Sequence, residues 1–222
     1  MTDFFDIVLI IHLTCAFTSI AAGAGAMIAR KAKSNHRLYG ETYTFLIIAT
    51  AITAFVMMLI PDHENTTLLL LGLFSVYITL SGNRSLKFKV IFSKEKVPIW
   101  DWLLSLSLLP LGLYMLYYGL FLMRIGDSWG IVLMVFGLMA LVLLVLDIRL
   151  FRSVEKPSFL WLEYHSAKMI GSYAGAITAL TVSSMEVRLG LTAWFVPVIL
   201  GLCCIVFWNL KIRKDPVSVF DH

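Results

Sequence analysis

The sequence predicts an all-α protein, a polytopic membrane bundle of seven transmembrane helices with its N-terminus outside and its C-terminus in the cytoplasm. Three observations carry this. Of 222 residues, 59% are hydrophobic and 14% charged, with a mean hydropathy of +0.87, whereas soluble domains hold nearer half and a quarter. Seven runs approach the roughly 20 apolar residues that a helix rising 1.5 Å per residue needs to cross about 30 Å of hydrocarbon. Lys and Arg collect in alternate loops, as basic residues retained on the cytoplasmic side do.

The runs are residues 4–29, 42–60, 66–81, 102–123, 130–151, 160–185 and 193–210, and together they make a single membrane domain. The first opens MTDFFDIVLI, with acids and no basic segment, and is too long for a cleaved signal, so it is expected to stay as the first helix. Pro110 and Pro197 fall inside the fourth and seventh runs, where neighbouring helices can satisfy the freed carbonyls. The sixth begins with charged residues, WLEYHSAK, before turning into Gly, Ala and Ile.

Charge sets the orientation. One set of alternate loops carries Arg30, Lys31, Lys33 and Arg37, then Arg84, Lys87, Lys89, Lys94 and Lys96, then Arg149, Arg152 and Lys156, then Lys211, Arg213 and Lys214. The opposite set holds only Arg124 and Arg188, and Lys168 alone lies within a run. Trp100, Trp102, Trp129, Trp161, Trp194 and Trp208 all fall near run ends, the interfacial position that indoles prefer. Topology thus explains the net charge of +4, and nucleic-acid binding is excluded. Cys15, Cys203 and Cys204 lie within runs and make no secreted disulfide framework. No phosphate-binding, hydrolase or zinc motif occurs, so no catalytic residue is assigned.

An ionisable group inside a span is costly and is a functional candidate by default, with a paired or snorkelling group as the plain alternative. In the sixth run, Tyr164, Lys168, Gly171 and Gly175 share one face, and Gly171-x-x-x-Gly175 offers either close helix packing or a groove for a flat ligand. The start of the second, SNHRLYGETY, places His36, Arg37, Tyr39, Glu41 and Tyr43 at the cytoplasmic boundary, with Ser34 or Asn35 as helix cap. His36 and His165 then lie at similar depth. The ligand-binding candidates are therefore His36, Arg37, Tyr39, His165, Lys168, Gly171 and Gly175.

His12 and Asp147 are the intramembrane polar candidates. His12 shares a face with Cys15, a metal pair that lacks a completing ligand, and a hydrogen-bonded core histidine is the plainer reading. Asp147, embedded in VLLVLDIRLF, calls for a cation, either Lys168 or an arginine of the basic loops. Asp101 reads as an interfacial acid. The run Ala21 to Ala26, AAGAGA, lets a backbone or a planar ring come close, and AITA at 51–54 and 176–179 hints at a parallel repeat.

His12, Gly23, Arg30, His36, Arg37, Gly40 and His165 together resemble a family of bacterial multi-pass membrane proteins catalogued as domain of unknown function 2306. The resemblance implies a helical fold in the cytoplasmic (inner) membrane and supplies no substrate. Three functions compete: a binding or accessory protein whose site takes a lipid head group, quinone or other small ligand, with Arg37, Arg84 and Lys168 able to meet an anionic lipid; a b-type haem or quinone redox protein using His36 and His165; and a transporter of protons, metal ions or small solutes using Asp147, Lys168 and His165. Beyond the lipid bilayer, self-association is left open.

Overall fold

The structure, a computed structural model, describes residues 4–31, 33–88, 97–153 and 159–215. Lys89, Lys94, Lys96 and Lys156 of the basic loops lie outside them. The described residues form α1 (Phe4–Ile28), α2 (Ser34–Met58), α3 (Thr66–Arg84) with a 3-10 turn at Ser85–Lys87, α4 (Ile99–Leu106), α5 (Leu108–Arg124), α6 (Trp129–Arg152), α7 (Leu160–Leu189) and α8 (Thr192–Lys214). α4 and α5 together fill the fourth run, giving seven long helical segments.

Boundaries differ from expectation where polar residues continue a helix. α2 begins at Ser34 rather than residue 42, so SNHRLYGE is its first two turns. The expected Ser34 or Asn35 cap is not used: Lys33 occupies the cap position with no side-chain bond, and Ser34 is already helical. Asn65 does cap α3, accepting from the Leu68 amide at 2.9 Å. Replacing Asn65 with Ala is expected to cost about 1 kcal/mol, read as a lower SDS fraction at half-unfolding. The fourth span is interrupted at Ser107, because Pro110 cannot donate to, and its ring crowds, the carbonyl one turn back at Leu106.

Six of the long segments are apolar enough to cross a membrane by length and composition. α7 is not among them, which corrects the reading of residues 160–185 as an apolar run like the others. It is rich in Gly, Ser and Thr and holds Glu163 and Lys168. Its neighbours resolve the difficulty: α7 packs against α1, α3 and α8, and between 160 and 182 only Ala179 is exposed. A helix sheathed by protein need not be apolar on every face. α3 is the other central element, touching α2, α4, α5, α6 and α7.

Apolar clusters hold the bundle together. The largest joins Phe74 and Tyr77 of α3, Leu108, Met115 and Leu122 along the fourth span, Leu133, Phe136 and Leu144 of α6, and Trp194 of α8. A second, at the end carrying the basic residues (the basic end), joins Phe88, Leu150, Trp161, Leu162 and Ile212. The outer faces of α1, α5 and α8 present large apolar side chains such as Ile10, Tyr117 and Phe207, the surface that lipid tails cover.

Close approach is concentrated where α5 meets α6. A Cβ added at Gly130 would lie 2.5 Å from the Gly119 carbonyl oxygen, and Gly112 and Gly137 stand in the same reciprocal relation at 3.0–3.1 Å. The expected small-residue seam at Gly171 and Gly175 is looser. A methyl there would stand 3.9 Å from Ile78 and 3.8 Å from Ser75, ordinary contacts. The two AITA segments are not equivalent either: Ala51 and Ala54 line a lipid-facing groove of about 280 Å³ between α2 and α3, whereas Ala176 packs on the inner cluster of Ala22, Tyr43 and Ile47.

Candidate functional site

Three polar groups sit inside the bundle, and α7 or α2 contributes to each. The deepest is built on Asp147, 1% exposed. Lys168 Nζ donates to its two oxygens at 2.8 and 3.1 Å, Tyr77 Oη donates at 2.5 Å, and Ser105 Oγ at 2.6 Å. Lys168 also donates to Tyr77 Oη at 3.2 Å. One carboxylate thus joins α3, α4, α6 and α7. Of the two cation sources foreseen for Asp147, the structure chooses Lys168. Lys168 does not snorkel to the basic end: it turns inward and is 6% exposed, because an anion within reach outweighs water a turn away. Its ammonium is thereby committed to Asp147 and Tyr77.

A hydroxyl chain lies nearby along the same helix. Tyr43 Oη of α2 and Ser172 Oγ of α7 are 2.7 Å apart, and Ser172 Oγ is 2.5 Å from Thr79 Oγ1 of α3. Thr79 in turn donates to the Ser75 carbonyl at 2.8 Å. Tyr77, Ser105, Ser172 and Thr79 escaped the sequence reading because single hydroxyls inside apolar runs look like filler, and Tyr43 reads from the sequence only as a boundary residue. The only signal was a Tyr or Ser at the depth of an intramembrane charge.

The histidines form the third group. His36 Nδ1 is 2.8 Å from the Ala26 carbonyl, His165 Nδ1 is 2.9 Å from the Gly82 carbonyl, and His12 Nδ1 is 3.1 Å from the Thr50 carbonyl and from Thr53 Oγ1. A carbonyl only accepts, so in each ring Nδ1 carries the hydrogen and Nε2 presents a lone pair when the ring is neutral. His36 and His165 lie within electrostatic range of each other and of Lys31. Among the described residues, no hydrogen bond engages either Nε2.

The remaining expected ligand residues scatter. Arg37 is exposed and pairs with Glu41 at 2.8 Å. The Tyr39 ring lies 3.2–3.3 Å from where a Cβ of Gly25 would stand, and Tyr173 approaches Gly23 more closely still. The AAGAGA face is thus filled by the protein's own tyrosines. Gly171 and Gly175 face α3 and α8 side chains rather than the imidazoles. Two further acids prove to be paired: Asp101, expected at the interface, is 3% exposed and takes a bidentate contact from Arg84, one arm at 2.7 Å, and Glu163 takes one from Arg213, its closest at 2.8 Å.

His12 and Cys15 gain no third ligand: among the described residues, no group of three or more His, Cys, Asp or Glu side chains is placed to hold a metal ion. Cys203 and Cys204 are exposed on α8. Lys31, in the loop after α1, donates to the carbonyls of Ala26, Met27 and Ala29 and closes the end of that helix. Half-burial pulls its ammonium below the ordinary lysine value.

Comparison with known protein families, with curated proteins and with solved structures finds no match. What the chain does must be argued from the site. The protein is a multi-pass membrane protein whose interior charges are paired.

Proposed function

We propose that the protein binds the polar head of a small membrane-partitioned ligand of the quinone class, between His36 and His165 at the basic end of the bundle. The supporting observation is the pair of lone-pair-bearing Nε2 atoms, each ring locked by a carbonyl of a different helix. A quinol hydroxyl donates to such a nitrogen, and a protonated imidazole donates back to a quinone carbonyl, so the same two groups serve both redox forms. We take the site to face the cytoplasmic leaflet of the cytoplasmic membrane, a reading supported by the gathering of basic residues at that end.

A b-type haem would use the same nitrogens, and a ring nitrogen anchored to a carbonyl is how ligating histidines are held. Room weighs against it, since Tyr39 and Tyr173 occupy the Gly and Ala surface a macrocycle needs. Transport draws less support, because the charges of Asp147 and Lys168 are consumed by each other, Tyr77 and Ser105.

The test is extraction of the protein purified from quinone- and haem-sufficient cells. Wild type is expected to retain stoichiometric quinone and no Soret band. With two hydrogen bonds at about 1 kcal/mol each, His36→Ala/His165→Ala should lose on the order of thirty-fold in affinity while keeping its helical circular dichroism. A Soret band transfers the site to haem. Quinone retained equally by the double variant sinks the proposal.

A further inference from the structure

The cations expected to meet an anionic lipid are all engaged elsewhere: Arg37 by Glu41, Arg84 by Asp101, Lys168 by Asp147. Of the other basic residues at the basic end, Lys31 and Lys211 meet no carboxylate among the described residues, although Lys31 donates to the carbonyls of Ala26, Met27 and Ala29. Lys31 Nζ stands 5.9 Å from the centre of the Trp208 ring, and Lys211 Nζ stands 5.1 Å from the same ring. Trp208 and Lys211 belong to α8, whereas Lys31 follows α1, two helices that otherwise hardly meet. Among the described residues, no carboxylate forms a salt bridge with either lysine.

Two unneutralised ammonium groups around one indole repel each other, most strongly at an interface where water is scarce. An anion between them removes that repulsion, and it reverses the half-burial cost borne by Lys31. We infer that Lys31, Trp208 and Lys211 form a site for the phosphodiester head group of an anionic phospholipid, seated in the seam between the ends of α1 and α8. The membrane-ward neighbours fit a lipid rather than a free ion: Ile28 of α1 is 85% exposed, and Phe207 and Leu210 of α8 are 64% and 61% exposed, an apolar wall for acyl chains. An indole flanked by lysines is also the side-chain set that a head-group layer favours. This site goes beyond the quinone reading and does not use the imidazoles.

The experiment titrates the delipidated full chain in detergent with phosphatidylglycerol, or with phosphatidylcholine of the same chains, and counts adducts by native mass spectrometry. Wild type is expected to prefer phosphatidylglycerol. One basic residue near an anionic head group is worth about five-fold, so Lys31→Gln/Lys211→Gln should lose roughly twenty-five-fold of that preference. Lys31→Gln also frees the carbonyls at the end of α1, so the decisive variant is Lys211→Gln alone. It breaks no hydrogen bond seen here and should lose about five-fold. An unchanged preference in Lys211→Gln overturns the site. Inorganic phosphate at millimolar concentration should fail to displace the lipid, and full displacement would overturn the lipid as occupant. His36→Ala/His165→Ala should keep the phosphatidylglycerol adduct whether or not it keeps quinone, which separates the two proposals.

Discussion

Asp147→Ala is expected to destabilise the bundle by about 3–5 kcal/mol, the cost of leaving one member of a buried ion pair without its partner. Lys168 would then keep only the Tyr77 hydroxyl and the rings of Tyr77 and Tyr164, in a place 6% exposed. Neutralisation bounds the lysine's share: giving up its proton at pH 7 costs at most about 4.6 kcal/mol from its ordinary value. Tyr77 and Ser105 also lose their acceptor, each worth about 0.6 kcal/mol in a membrane interior. The double variant Asp147→Leu/Lys168→Met removes both charges and should recover most of the loss, because a well-packed apolar pair often equals a buried ion pair. SDS-titrated unfolding of wild type, Asp147→Leu, Lys168→Met and the double variant closes the cycle. A double variant as unstable as the sum of the singles would mean that the charges act separately.

Gly130→Ala is the second large effect, about 1–3 kcal/mol of destabilisation. Its Cβ would meet the Gly119 carbonyl at 2.5 Å and the Met123 amide nitrogen at 2.8 Å, and backbone atoms cannot swing aside. The only escape is to push α5 from α6, which also opens the Gly112–Gly137 contact seven residues along. Gly171→Ala and Gly175→Ala are the controls. Both have ordinary contact distances and should be neutral or slightly stabilising, since Ala favours a helix by up to about 1 kcal/mol over Gly. If Gly171→Ala unfolds more readily than Gly130→Ala, the assignment of the tight seam to α5 and α6 is wrong.

The contrast between these glycines shows where sequence reading runs out. Gly171-x-x-x-Gly175 is a recognised local pattern, yet the partner across it stands off. The working contacts come from Gly112 and Gly119 on one helix and Gly130 and Gly137 on the next, two seven-residue spacings visible in the sequence only once the helices are known to be hairpin partners. Lys168 makes the same point. Its place near a boundary suggested snorkelling, and only the packing of α7 against α3 brings its ammonium to Asp147.

What the sequence by itself determined is the set of membrane-length helices and the need of Asp147 for a cation. Both are local: a helix satisfies its own backbone in lipid, so its length and apolarity can be read residue by residue, and a charge in hydrocarbon demands a partner wherever that partner lies. What only the tertiary structure decided is which residues answer that demand, that Arg84, Arg37 and Lys168 are spent on acids while Lys31 and Lys211 converge on Trp208, and that α7 can be polar because its neighbours sheathe it. Those outcomes depend on which helices touch and at what height, and residues as far apart as Tyr43 and Ser172 carry no shared pattern along the chain.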